Sequence, residues 1–131
     1  MNTEWTPWQV DAKDFPHQGT NRQKLTFLLR YAILAPSSHN TQPWKFAVAD
    51  DEIRLFADKT RWLRVADPDQ RELYISLGCA LENLLVAAEH FGYGHRARYP
   101  DGSGDADLVA VVGLTAGGGP SPLRSSGLFD A

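Results

Sequence analysis

One segment limits the choice of fold more than any other. From Asp67-Pro68 to Gly92 the chain reads as a single long amphipathic helix. Leu73, Leu77, Leu81, Leu84, Leu85 and Ala88 recur at helical spacing and form an apolar stripe. Glu72, Ser76, Asn83 and His90 fall on another face. Asp67 is a good N-cap type and Pro68 suits a first helical position, so the helix is expected over roughly residues 68–91. Gly92 and Gly94 act as stop signals. Gly78-Cys79-Ala80 are small and let another helix or a ligand come close. A stripe this long must be buried against a second layer, and the flanking sequence supplies strands for one.

Upstream, Thr20-Asn21-Arg22-Gln23 has capping-box spacing, with Leu25, Leu28, Leu29, Ala32 and Ile33 behind it on one helical face. This helix should end before Pro36, because the residue preceding a proline avoids the helical region. "KFAVA" and "IRLFA" read as two strands turning at Asp50-Asp51-Glu52. "YGHRARYP" and "DLVAVVGLT", joined by "DGSGD", read as a second hairpin. The order α-β-β-α-β-β gives an α+β fold, two hairpins forming a sheet packed on the long helix. Residues 1–19 read as an arm packing through Trp5, Trp8 and Phe15; residues 20–116 form the domain; residues 117–131 read as a Gly/Pro/Ser linker and the start of a further element, "LFDA".

Bulk properties narrow the function classes. A net charge of -3 argues against nucleic acid as the main partner, since phosphate backbones want a basic surface. The single cysteine, Cys79, allows no intrachain disulfide and points to a reducing compartment. No basic-then-apolar leader opens the sequence, and no apolar run approaches a membrane span. The expectation is a cytoplasmic protein without membrane association. His17, His39, His90 and His95 are scattered without metal-ligand spacing, so no metal site is expected. Cys79, mid-helix between small residues, reads as a buried small hydrophobe rather than a nucleophile.

The chemistry concentrates in "APSSHNTQPWKF", Ala35 to Phe46. Ser37, Ser38, Asn40 and Gln42 offer uncharged donors and acceptors, a set that suits a flat polar heterocycle or phosphate oxygens. Pro36 and Pro43 stiffen the loop at its two ends, and Trp44 can anchor it in the core or stack on a ring. A plainer reading has these side chains satisfying backbone groups between a helix end and a strand start. Arg61, Arg64 and Arg71 near the long helix offer a second phosphate surface, or a surface network with Asp67 and Asp69.

The order of the loop residues separates the two readings. "LLRYAILAPSSHNTQPWKFAVA" resembles the signature of the FMN-dependent nitroreductase family: a helix ending in Ala-Pro-Ser, a Ser-x-Asn-x-Gln-Pro-Trp loop, then a strand. "LGCALENLLVAAEHFGYG" is similar to the family's long interface helix, and the likeness runs over roughly residues 20–115. The resemblance implies that Pro36, Ser37, Ser38, His39, Asn40 and Gln42 line an FMN site shared across an interface, with Trp44 supporting the loop. It also implies NAD(P)H as electron donor and a nitroaromatic or quinone-like acceptor. No acid–base residue is named, because the cofactor carries the redox chemistry. Family members usually hold the FMN phosphate with an Arg-x-Ser-x-Arg segment near the N-terminus, and residues 1–24 offer only Arg22. "HNTQPW" and "ADPDQRELYISLG" look most like the first half of the long, internally duplicated (Acg-like) branch, whose arginine-rich segment opens the second half. The expectation is an N-terminal half that needs a second copy or a C-terminal half. The alternative is a flavin-sequestering or dimerisation module without turnover of its own.

Overall fold

A computed structural model describes residues 10–101 and 103–117. The expected contacts of Trp5 and Trp8, and the linker and "LFDA" restart from residue 118 onward, lie outside the described residues.

The first helix, α1, spans Asn21–Ala32 and starts where the capping box places it. Gln23 N donates to Thr20 Oγ1 at 3.1 Å, and Thr20 N donates to Gln23 Oε1 at 2.8 Å. Asn21 Nδ2 reaches the Asp50 carbonyl at 2.7 Å and ties the helix start to the first hairpin turn. Leu25, Leu28 and Ala32 point into the core, while Leu29 and Ile33 are half-buried at its edge. Phe27 turns to an aromatic cluster: Phe15 of the arm meets it edge-on and stacks on Phe91 at 4.4 Å between ring centroids. Phe15 thus packs as the arm reading expects.

The strands are β1 (Trp44–Ala49), β2 (Glu52–Ala57), β3 (Tyr93–Arg98) and β4 (Leu108–Ala116). They form one antiparallel sheet in the order β1-β2-β4-β3, so the two hairpins join through β2 and β4. Alternation sends Ile53, Leu55 and Ala57 inward with Ala110, Val112 and Leu114. The long helix, α2, spans Arg71–His90 and buries Leu73, Leu77, Leu81, Leu84, Leu85 and Ala88 against that face. This is the α+β architecture the sequence implies.

Two boundaries differ from expectation. Helix α2 begins at Arg71, not at residue 68, because Gln70 takes a left-handed conformation (φ 62°) and breaks the first turn. Asp67 still serves the helix start from four residues before it. Its buried carboxylate accepts from Glu72 N at 3.0 Å and Leu73 N at 2.9 Å. Only one of the two glycines stops the helix: Gly92 has φ 86°, whereas Gly94 lies inside β3. Ser76, expected on a polar face, is buried because it meets the loop described next.

Candidate functional site

The loop between α1 and β1 is pinned at both ends. Pro43 and Trp44 are buried, and the Pro43 carbonyl accepts from Asp58 N at 2.8 Å. Trp44 therefore anchors the loop in the core and is not free to stack on a ligand. Ser38–Asn40 make a single tight turn. His39, Asn40 and Gln42 all have positive φ, at 51°, 52° and 50°. Asparagine and histidine tolerate this region better than most residues, but glutamine seldom enters it, at about 1–2 kcal/mol. Such a backbone persists only where surrounding bonds over-determine it.

Those bonds come from the loop itself and from two neighbours. Gln42 N donates to Ser37 Oγ at 3.0 Å, and Gln42 Nε2 donates to Asn40 Oδ1 at 3.2 Å. Arg61 Nη1 reaches the Thr41 carbonyl at 3.2 Å while its Nε lies 3.4 Å from Asp58 Oδ2. Asp58 is itself buried, and its carboxyl titrates below the ordinary aspartate range. The Thr60 hydroxyl bonded to it is the main cause, with the Thr60 amide, Lys45 and Arg61 adding to it against the cost of burial. On the other side, Ser38 Oγ donates to Glu72 Oε2 at 2.7 Å, and Ser38 N points to Ser76 Oγ at 3.4 Å. Ser76 Oγ in turn donates to the Glu72 carbonyl at 2.8 Å.

The six residues singled out in the loop do not converge on one surface. Pro36, Ser37 and Ser38 line a groove of about 340 Å³ whose far wall is Glu72, Ile75, Ser76 and Cys79 of α2. His39 instead borders a cavity of about 460 Å³ with Trp62, Leu63, Arg64, Val65 and Ala66. Asn40 and Gln42 are exposed and bonded to each other, and among the described residues no acceptor takes Asn40 Nδ2. Cys79 is half-buried on the groove wall rather than fully inside the core.

The arginines do not build the expected charged network either. Arg61 braces the loop, Arg64 lies over the Trp62 ring at 4.7 Å, and Asp67 spends its carboxylate on α2 amides. Arg22 borders a third cavity, of about 510 Å³, with Asp14, Phe27 and Arg30. Among the described residues no lysine or arginine lines the groove beside Ser37 and Ser38. The residue that sequence reading missed is Glu72. Its spacing to Ser76 puts both on one side of α2, but nothing local links that pair to Ser38, which is 34 residues away.

Comparison with known proteins gives this arrangement its context. A Mycobacterium tuberculosis protein named "Putative NAD(P)H nitroreductase" is 40% identical over 101 residues, which is 76% of this chain and 28% of that protein. A second protein of that organism, named "Putative NAD(P)H nitroreductase acg", is 32% identical over 84 residues, 63% of this chain and 25% of the relative. A crystal structure of a nitroreductase-like protein from Streptococcus mutans superposes with a TM-score of 0.61 at 16% identity, covering 82% of this chain and 84% of that one. The chain is similar to nitroreductases in sequence, and it shares the α+β fold of the nitroreductase-like structure. No protein-family model matches it. This nitroreductase-like chain spans about a quarter of the length of these curated relatives, 28% of one and 25% of the other. Among the described residues no helix is long and apolar enough to cross a membrane.

Proposed function

We propose that this nitroreductase-like chain contributes one half of an FMN-dependent NAD(P)H oxidoreductase site, with Pro36, Ser37, Ser38, His39, Asn40 and Gln42 forming the flavin-edge loop. The observation that carries the reading is the loop itself. Three left-handed residues within Ser37–Gln42 are held by a closed set of hydrogen bonds beside a groove. Left-handed residues occur singly at Asp50 and Gln70, and the clustering of three in one loop suits a preorganised binding loop.

The residues fit a flavin ring edge better than a phosphate. Ser37, Ser38 and Asn40 supply uncharged polar groups, and the apolar parts of Pro36, Ile75 and Cys79 supply a flat contact. When bound, the flavin would accept hydride from NAD(P)H and pass electrons to a nitroaromatic or quinone-like acceptor. The chain's own part is to hold the ring edge, through Asn40 Nδ2 and the serine hydroxyls, and to exclude water from one side. Among the described residues no cationic side chain lines the groove, so in this reading the phosphate is held elsewhere, by a second copy or by a C-terminal half. The electron acceptor is the small-molecule partner, and nucleic acid and membrane are not partners in this reading. The cytoplasm is the matching compartment.

A second reading takes the same missing cation seriously. A loop that holds a flavin edge without a phosphate clamp would bind or sequester flavin, or only dimerise, without turnover. An FMN titration followed by flavin fluorescence, repeated with Asn40→Ala, tests the first claim. Saturable binding that weakens about tenfold in the variant supports the loop as the site. Binding unchanged by the substitution refutes it. NAD(P)H oxidation by the flavin-loaded chain then separates enzyme from binder, and light scattering shows whether a second copy is present.

A further inference from the structure

Resting on the flavin reading above, we infer that Glu72 is a positioning residue that sets the hydrogen-bond polarity of the groove, so that it takes a donor edge of the ligand and turns a phosphate away. The argument follows the hydrogens. An ionised carboxylate only accepts, so the 2.7 Å contact between Glu72 Oε2 and Ser38 Oγ commits the Ser38 hydroxyl hydrogen to Glu72. The Ser76 hydroxyl hydrogen is committed too, to the Glu72 main-chain carbonyl at 2.8 Å. Both hydroxyl oxygens on the groove wall are left with lone pairs alone. Ser76 Oγ already faces the Ser38 amide at 3.4 Å, so Ser38 Oγ is the acceptor that remains for a ligand.

Ser38 and Ser76 therefore accept and do not donate, Ser37 Oγ accepts from Gln42 N and keeps the one free hydroxyl hydrogen, and the groove carries the carboxylate's negative charge with no lysine or arginine lining it among the described residues. A phosphate brings only acceptors and more negative charge, so it is repelled. A flavin has two kinds of donor to offer: the ring N3–H of the oxidised isoalloxazine, and the hydroxyls of the ribityl chain. Either satisfies Ser38 Oγ, and the two can be told apart. Glu72 touches neither the ligand nor a reacting atom in this scheme. It acts through Ser38 by fixing which way the hydroxyl points.

The test compares riboflavin, 3-methylriboflavin and lumiflavin, titrated by fluorescence against the full 131-residue chain. Riboflavin carries both donors, 3-methylriboflavin lacks the ring N–H, and lumiflavin lacks the ribityl hydroxyls. The wild type should bind riboflavin about tenfold more tightly than one of the two analogues, the strength of one ordinary hydrogen bond. The analogue that suffers names the donor. Glu72→Leu frees the Ser38 hydroxyl to donate as well as accept and should reduce that preference severalfold. Glu72→Gln, whose side-chain carbonyl still accepts from Ser38, should restore it. Ser38→Ala should erase it, and Glu72→Leu should add nothing in that background. A merely structural Glu72 would lower the unfolding midpoint and weaken all three flavins equally, leaving the preference intact. That result overturns the inference, as does binding of all three flavins within twofold in the wild type, and in both cases the flavin reading stands. Failure of every flavin to bind refutes the flavin reading itself, and this inference with it.

Discussion

Replacing Asp67 by alanine should destabilise the chain by roughly 2–3 kcal/mol, and the structure gives the reasons. The two carboxylate oxygens satisfy two separate amides of the first turn of α2, Glu72 N at 3.0 Å and Leu73 N at 2.9 Å. Asp67 is only 4% exposed, so water cannot readily take over these donors. Losing a helix cap costs about 1 kcal/mol, and hydrogen bonds to a charged group are worth about 1.5–3 kcal/mol each before relaxation. The sum is limited because Asp69 Oδ1, now 3.2 Å from Arg71 N, can shift toward the vacated donors. For a domain of this size the expected fall in melting temperature is about 10 °C. Asp67→Asn keeps one acceptor oxygen and should lose about half as much. Urea unfolding of the wild type and both variants, with Asp69→Ala as control, measures it. A loss below about 0.5 kcal/mol in Asp67→Ala would refute the assignment of Asp67 as the cap of a helix that starts four residues later. Because Glu72 sits in that same first turn, Asp67→Ala should also weaken any ligand bound beside Ser38.

Three further outcomes follow from the fold. Leu84→Ala, at a fully buried position of α2 facing the sheet, should cost about 2–5 kcal/mol in urea unfolding. Gly92→Ala should cost about 1 kcal/mol through backbone strain alone, because φ is 86° and nothing lies within 4 Å of an added Cβ. Asp58 has a folded pKa below its unfolded value, so its contribution is complete above the ordinary aspartate range and lost as pH falls through the depressed folded value. Unfolding midpoints measured from about pH 6 down to pH 2 should therefore fall less steeply in Asp58→Asn than in the wild type, and equal slopes would refute that account.

Much of the fold was legible because it is written in local patterns. The capping box at Thr20 and Gln23, the leucine stripe of α2 and the paired strand runs each lie within one continuous stretch of sequence, where periodicity and turn chemistry carry the information. What the residues did not disclose was relational. The start of α2 was misplaced because Asp67 and Pro68 look like a cap and a first position, yet the cap acts across an intervening turn that Gln70 closes with positive φ. The Gly94 stop signal failed because Gly92 alone completes the helix end, freeing Gly94 for β3.

The site follows the same division, and this is where the family likeness and the physical reading part company. The loop's residue order resembles that of a flavin-edge loop, but residue types alone made Ser37, Ser38, Asn40 and Gln42 look equivalent. Hydrogen bonding shows that they are not. Gln42 is spent bracing Asn40, the Ser37 oxygen is spent on Gln42, and Ser38 is turned toward Glu72. His39 faces another cavity. What remains for a ligand is Asn40 and the Ser37 hydroxyl as donors and Ser38 as acceptor, the last set by a carboxylate from a helix that the motif does not include. If that polarity governs binding, the chain cannot hold the phosphate at this groove however the loop is mutated. Adding a lysine at Ile75 should then strengthen FMN over riboflavin only where the phosphate comes within about a Debye length, about 8–10 Å. An Ile75→Lys variant that leaves the FMN-to-riboflavin ratio unchanged while flavin binding persists would place the phosphate beyond this chain's half of the site. A ratio that rises severalfold would put the phosphate in the groove and refute the polarity argument.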